Sequence, residues 1–172
     1  MATFKNLKGL ESYLLTVLSE CMNEVGEKVE TLMKQHVDID VYKKGEDLGR
    51  NYYYNNSKPP TPTGQLRDSI IHSKAEISGK VVSTEVYNDP ELMQNDPSTY
   101  LHGSNHWSTS DVRDMLPYLI NEGKTGGLFG PVWENLKRPY ISNTFEELVD
   151  KKLVKQWLKE SLEKRLGKGN VK

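Results

Sequence analysis

The sequence predicts an α+β fold, in which a long N-terminal helix packs on a small antiparallel β-sheet and another helix ends the chain. Three observations predict it: apolar residues at helical spacing near the start, β-branched residues clustered mid-chain, and a second amphipathic pattern near the end. Strands and helices do not alternate regularly, and no internal repeat is present. A chain of 172 residues has the size of one domain, so we expect a single domain over 1–172.

The first predicted element, within 1–41, is a long amphipathic helix. Its apolar residues recur at steps of three and four: Leu7, Leu10, Leu14, Leu18, Cys21, Val25, Val29 and Leu32. A helix over 6–36 would be about 45 Å long at 1.5 Å per residue, longer than this domain needs, so part of the stripe is expected to face another chain. The single Cys21 is expected to be a buried, unreactive thiol.

Residues 42–66 are predicted to form an extended arm. Three prolines stand within four positions at 59–62, which excludes helix and disfavours a central strand. The arm carries Tyr52, Tyr53 and Tyr54, and tyrosine offers a large contact area at little entropy cost. We expect these three side chains to contact a neighbouring protein.

A β-hairpin is predicted over 67–89, because β-branched residues cluster at 81–87 on one side of a Ser78-Gly79 turn. Residues 90–116 are polar and turn-rich and form an insertion with a short helix near 111–121, which Ser108 or Ser110 can cap. In the loop region 117–138, glycines surround Leu128 and Phe129. This loop either docks against a partner or folds onto its own core.

The last region, 139–172, is predicted to be an amphipathic helix with a basic tail. Thr144 and Glu147 have the spacing of a capping box, which places the helix start at Thr144. From 151 to 172 there are eight Lys or Arg residues against Glu160 and Glu163. They suit either phosphate contacts or a solvated helix face, and the second interpretation is favoured.

No motif in the sequence indicates catalysis. Gly123-Lys124-Thr125 resembles the end of a phosphate-binding loop but has Tyr118 where the first glycine belongs. His102 and His106 flank residues of turn composition rather than a helix. We therefore expect no catalytic residue, no metal and no cofactor, and we expect neither a signal peptide nor a membrane span.

Three short motifs resemble those of the small neck proteins that join head to tail in tailed bacteriophages. They are Thr63-Gly64-Gln65-Leu66-Arg67-Asp68-Ser69-Ile70, then Pro117-Tyr118-Leu119-Ile120-Asn121-Glu122-Gly123, and finally Arg138-Pro139-Tyr140-Ile141. They occur in the order of that family, and with the N-terminal helix they cover about two thirds of the chain. The chain departs from the pattern in two places, where Lys124 separates Gly123 from Thr125 and where 90–114 is enlarged.

The resemblance implies a structural subunit without catalytic residue or cofactor, made in the host cytoplasm and incorporated at the virion neck. It implies a homo-oligomeric ring, a hexamer or dodecamer, that contacts head-connector and tail proteins, with DNA at most passing through its lumen. Thr63 and Gly64 would turn the chain into the hairpin, with Leu66 and Ile70 in the core. At the base of the loop, Glu122 would pair with Arg138.

Other functions remain open at this point. A tail terminator or tail-completion protein would also be a ring-forming α+β subunit of this size. A nucleic-acid-binding regulator would use the basic last helix, although the net charge of −1 argues against it. An enzyme would need a pocket with convergent titratable groups, for which the sequence gives no sign.

Overall fold

The structure is a computed structural model that describes residues 6–44, 64–93, 109–123 and 137–167. Its helices are α1 (Leu7–His36), a π-helical segment (Val37–Lys43), α2 (Gln65–Asp68), a 3-10 turn (Pro90–Leu92), α3 (Thr109–Glu122), α4 (Tyr140–Asp150) and α5 (Leu153–Leu166). Its strands are β1 (Ile70–His72), β2 (Glu76–Ser78), β3 (Val81–Ser83) and β4 (Val86–Asn88). The predicted α+β class is confirmed. Within these ranges, every helix is too short or too polar to cross a bilayer.

The strands form two short antiparallel pairs that are nested within the predicted hairpin. β2 and β3 pair with Glu76 opposite Ser83, and Gly79 takes a φ of 62° in the connecting turn. β1 pairs with β4. Between the pairs, the Thr84 hydroxyl donates to the Ser73 carbonyl at 2.7 Å and Ser73 Oγ accepts from the Glu85 amide at 3.0 Å. The Ser73 amide also donates to the Glu85 carbonyl at 2.8 Å, so backbone and side-chain bonds together connect the two pairs.

The chain divides into two compact units. Unit 1 consists of Met1–Glu30, His72–Val86 and Glu147–Lys172, and unit 2 consists of Thr31–Ile71 and Tyr87–Glu146. Each unit is thus assembled from stretches that are distant in sequence.

In unit 1, α1 packs against the β-strands. Its residues Val17, Cys21 and Val25 are buried, which confirms the expected burial of the thiol. The Asn23 side chain accepts a hydrogen bond from the Ala75 amide at 2.7 Å. A Cβ at Gly26 would lie 3.1 Å from atoms of both His72 and Thr84, so a glycine lets the hairpin approach the helix closely.

Also in unit 1, α5 is tied to α1 by charged groups. Arg165 Nη2 donates to Glu24 Oε1 at 2.6 Å, and the Ser161 hydroxyl donates to Glu24 Oε2 at 2.5 Å. The guanidinium and the hydroxyl bonds lower the pKa of Glu24 to about 2. Hydrogen bonds between charged partners are the stronger kind, so this cluster fixes α5 on α1.

In unit 2, the core joins the end of the helical N-terminal region to α2, β1, α3 and α4. Its buried apolar residues are Met33, Val37, Val41, Leu66, Ile70, Met93, Leu116, Ile120 and Tyr140. The hydroxyl of Tyr42, in the π-helical segment, accepts a hydrogen bond from the Arg67 amide at 3.2 Å. Leu66 and Ile70 therefore enter a core, as the resemblance implied.

The last region differs from the prediction at its start and at its centre. α4 begins at Tyr140, and Thr144 is a buried interior residue whose hydroxyl donates to the Tyr140 carbonyl at 2.6 Å. The expected cap at Thr144 is therefore wrong; Pro139, suited to the start of a helix, precedes α4 instead. The helix then breaks at Lys152, whose φ of 53° is left-handed, before α5 begins.

Candidate functional site: the motif junction

The parts of the three sequence motifs that the structure describes meet in unit 2. We call this cluster the motif junction and define it by Leu66, Ser69, Asn88, Asn121 and Tyr140. Its first part begins at Gly64, whose φ of 82° is left-handed and which precedes α2. A Cβ there would lie 3.3 Å from Asp68 Oδ2. Glycine avoids both the backbone strain and this close contact.

Asn88 connects the first motif to the third. Its Nδ2 donates to Ser69 Oγ at 2.9 Å and to the Leu66 carbonyl at 3.2 Å. The Tyr140 hydroxyl in turn donates to Asn88 Oδ1 at 2.9 Å. Ser69 and Tyr140 are fully buried, and burial raises the pKa of Tyr140. The phenol therefore stays neutral and acts as a hydrogen-bond donor.

Asn121 connects the second motif to the third. Its Oδ1 accepts from the amides of Ile141 and Ser142 at 3.1 and 3.4 Å. These amides lie in the first turn of α4, where backbone donors lack partners within the helix. The Arg138 amide also donates to the Ile120 carbonyl at 3.2 Å. Asn121 thus caps α4 from a separate element, which replaces the cap expected at Thr144.

The charged residues of the motifs lie beside this junction. Burial lowers the pKa of Arg138 to about 10. Glu122, expected to pair with Arg138, lies with its carboxylate 3.9 Å from Lys137 Nζ and accepts from Asn121 Nδ2 at 2.9 Å. Gly123 follows α3 with a φ of 70°, a conformation that favours glycine.

A second polar cluster in unit 2 surrounds the buried Asp40 of the π-helical segment. Its carboxylate accepts from Asn143 at 2.8 Å and from Lys44 at 3.1 Å, and His36 Nδ1 lies 3.1 Å away. Burial alone would raise the pKa of Asp40, but these contacts hold it below its usual value. His36, Asp40 and Lys44 are four residues apart, a spacing that could have indicated contacts along one helix face. Nothing in the sequence indicated that Asn143 would join them.

The hydrogen bonds of both clusters hold elements of unit 2 together. The polar side chains of the motif junction bond to one another and to backbone groups at helix ends. The Asp40 carboxylate is ionised and already bonded by several donors, so it lacks the raised pKa of a general acid. Among residues 6–44, 64–93, 109–123 and 137–167, no three His, Cys, Asp or Glu side chains lie close enough to hold a metal ion.

The interface residues expected from the sequence lie outside the described residues. They are Tyr52, Tyr53, Tyr54, Leu128 and Phe129. Thr63 of the first motif and the histidines His102 and His106 also lie outside the described residues. Of the remaining motif residues, the structure brings Gly64, Leu66, Ser69, Ile70, Arg138, Pro139 and Tyr140 into unit 2 with Glu122 and Gly123.

Two exposed apolar surfaces lie outside these clusters, and the first belongs to the α1 stripe that was expected to face another chain. The first, the α1 groove, lies in unit 1, has a volume of about 330 Å³ and is lined by Leu7, Leu10, Glu11, Leu14, Leu15 and Lys80. At this groove Lys80 Nζ lies 3.2 Å from Glu11 Oε1. The second, the α4 ridge, consists of Ile141, Phe145 and Val149, which are spaced by four residues and exposed.

Comparison with known proteins gives one match. No curated protein and no solved structure shows significant similarity to this chain. The model of the YomN family matches residues 6–164, which include all three motifs and nearly all of both units. That family consists of phage-derived Bacillus proteins, so the phage connection expected from the resemblance is confirmed at this coarser level. The chain belongs to the YomN family.

Proposed function

We propose that this protein is a non-catalytic structural subunit of the neck of a tailed bacteriophage. In this role it forms a ring that joins the portal end of the capsid to the tail. The partners are further copies of the chain and the adjoining head-connector and tail proteins. It is made in the bacterial cytoplasm and is retained in the virion.

The observation that carries the proposal is the motif junction. The three motifs that resemble neck proteins are far apart in sequence, yet their described parts belong to one unit. Asn88 bonds the first motif to the third, and Asn121 bonds the second to the third. Motifs that jointly build one scaffold are expected when the resemblance reflects a shared fold, and the phage-derived family supports the same assignment.

The charge distribution in unit 1 disfavours the nucleic-acid alternative. Three basic residues of α5 have carboxylate partners: Lys159 with Glu163, Lys164 with Glu24, and Arg165 with Glu20 and Glu24. Basic groups paired in this way offer less charge to a phosphate backbone. This supports the interpretation of α5 as a solvated, structural helix.

Deletion of the gene from the phage that carries it tests the proposal. We expect lysates to contain filled heads and complete tails that are not joined, as seen by negative-stain electron microscopy. A wild-type copy supplied in trans should restore joined particles, and a frameshifted copy, the matched control, should not. Antibody labelling of complemented virions should place the protein at the neck.

Other outcomes separate the alternatives. Tails of irregular length would instead indicate a tail terminator. Normal infectious virions after the deletion, or absence of the protein from purified particles, would contradict the structural role altogether. An activity of the purified protein towards DNA, with normal virion morphology, would favour the regulatory alternative.

A further inference from the structure

We infer that the α4 ridge of one copy docks into the α1 groove of a second copy, so that the chain associates head to tail. This inference rests on the proposed function and deepens it, because it supplies a contact between neighbours in the ring. The two surfaces differ, which makes the contact heterologous. A heterologous contact repeats around an axis and can close a ring.

The apolar character of both surfaces is the first argument. Leu7 at the edge of the groove is 83% exposed, and Phe145 at the centre of the ridge is 67% exposed. Contiguous exposed apolar groups on a soluble protein indicate interaction sites. Phenylalanine is also one of the residue types that are enriched at the buried centre of protein interfaces.

The dimensions of the two surfaces agree. Leu7 and Leu14 are seven residues apart on α1, so the groove extends about 10 Å along the helix. Ile141 and Val149 are eight residues apart on α4, so the ridge extends about 12 Å. A ridge of this length fills the groove along its whole extent, with side chains interdigitating as in other helix contacts.

Charge complementarity indicates a second copy as the occupant. In the groove Lys80 and Glu11 form an ion pair and offset each other, so the exposed Lys8 next to Leu7 leaves one net positive charge at the groove. On α4, the exposed Glu146 and Asp150 follow Phe145 and Val149 in sequence and form one flank of the ridge. A net basic groove and an acidic-flanked ridge attract each other, whereas two grooves or two ridges repel.

The test is a pair of charge substitutions, one on each surface. Leu14→Glu disables the groove and leaves the ridge intact, while Phe145→Glu disables the ridge and leaves the groove intact. We expect each variant of the full chain to associate at least about tenfold more weakly than wild type, measured by sedimentation velocity across a concentration series. An equimolar mixture should form a dimer and no larger species, because one good groove and one good ridge remain.

Controls keep the experiment interpretable. Val154→Glu is the matched control, since Val154 is 39% exposed like Leu14 but lies on α5, outside both surfaces. It should associate like wild type. Leu7→Glu replaces Leu14→Glu if the latter lowers the melting temperature, because the Leu7 side chain is almost fully exposed.

Three results would overturn the inference. Wild-type protein that stays monomeric up to millimolar concentration would do so, as would variants that associate normally. Weakened variants whose mixture does not dimerise would show that the ridge of one copy does not enter the groove of another. None of these results bears on the gene-deletion phenotype, so the neck role and the groove contact can fail separately.

Discussion

The Tyr140 hydroxyl donates a hydrogen bond to Asn88 Oδ1 at 2.9 Å, and the Tyr140 side chain is fully buried in unit 2. Asn88 also donates to Ser69 of the first motif, so Asn88 connects the third motif to the first. One side-chain contact therefore links the start of α4 to the end of β4. Because the phenol stays neutral, the link persists over the whole physiological pH range.

Tyr140→Phe should lower the free energy of unfolding by about 1 to 2 kcal/mol, because it leaves the half-buried side-chain carbonyl of Asn88 without the donor from Tyr140. Chemical denaturation followed by circular dichroism measures the change. Tyr87→Phe is the control, since Tyr87 is exposed and should lose much less. Equal losses for the two variants would mean that the buried bond contributes nothing specific.

Asn121→Ala should destabilise the chain by about 1 kcal/mol, because it removes the side chain that caps the first turn of α4. Thr144→Val should cost less, since Thr144 lies inside the helix and bonds a carbonyl that the helix already uses. Denaturation midpoints of the two variants test this order. If Thr144→Val were the more destabilising substitution, Thr144 and not Asn121 would be the cap of α4.

Gly26→Ala and Gly9→Ala should have opposite effects, although both add a methyl group to α1. Alanine is favoured over glycine in a helix by up to about 1 kcal/mol, so Gly9→Ala, at an exposed position, should stabilise the protein. At Gly26 the new Cβ would meet His72 and Thr84 at 3.1 Å. Overpacking of this kind costs about 1 to 3 kcal/mol and should outweigh the propensity gain. Thermal melts compare the two variants, and stabilisation by both would contradict the close approach of the hairpin.

Glu24 should make unit 1 sensitive to acid. Its pKa is lowered from 4.5 to about 2 in the folded protein by the hydrogen bond from Arg165 and then that from Ser161. A group with a lowered pKa contributes stability above its unfolded value, and this contribution is lost as pH falls from about 4.5 towards 2. The unfolding free energy of wild type should therefore fall between pH 6 and pH 3.

Glu24→Gln tests the origin of that slope. The variant should be less stable at pH 6 and should lose less stability between pH 6 and pH 3, because residue 24 no longer titrates. Glu76→Gln, on the exposed strand β2, is the control and should keep the wild-type slope. An unchanged slope in Glu24→Gln would assign the acid sensitivity to other carboxylates.

The sequence was most informative where structure is determined locally. The stripe from Leu7 to Leu32 follows the helical period over eight turns, and α1 was predicted to within one residue at its start and end. Val81 to Val86 carry enough β-branched residues to indicate strands. In the candidate site, Leu66 and Ile70 were assigned correctly to a core.

What could not be predicted depends on contacts between distant segments. The cap of α4 comes from Asn121, and a sequence pattern near Thr144 gives no sign of an acceptor elsewhere in the chain. Asparagine is common in turns, so Asn88 gives no sign in the sequence that its side chain bonds both Ser69 and Tyr140. Lys152 adopts a left-handed conformation that few lysines take, so the break after α4 had no local signal.

Because Cys21 is buried, the reactivity of its thiol reports on local unfolding of the chain. It is the single cysteine in 172 residues, and its side chain has no exposed surface. A thiol reagent can therefore modify the folded protein only when α1 separates from its packing partners in unit 1. The labelling rate then measures the frequency of that local unfolding event directly. Fluorescent probes can also be placed on either apolar surface through a single added cysteine, without removing a native one.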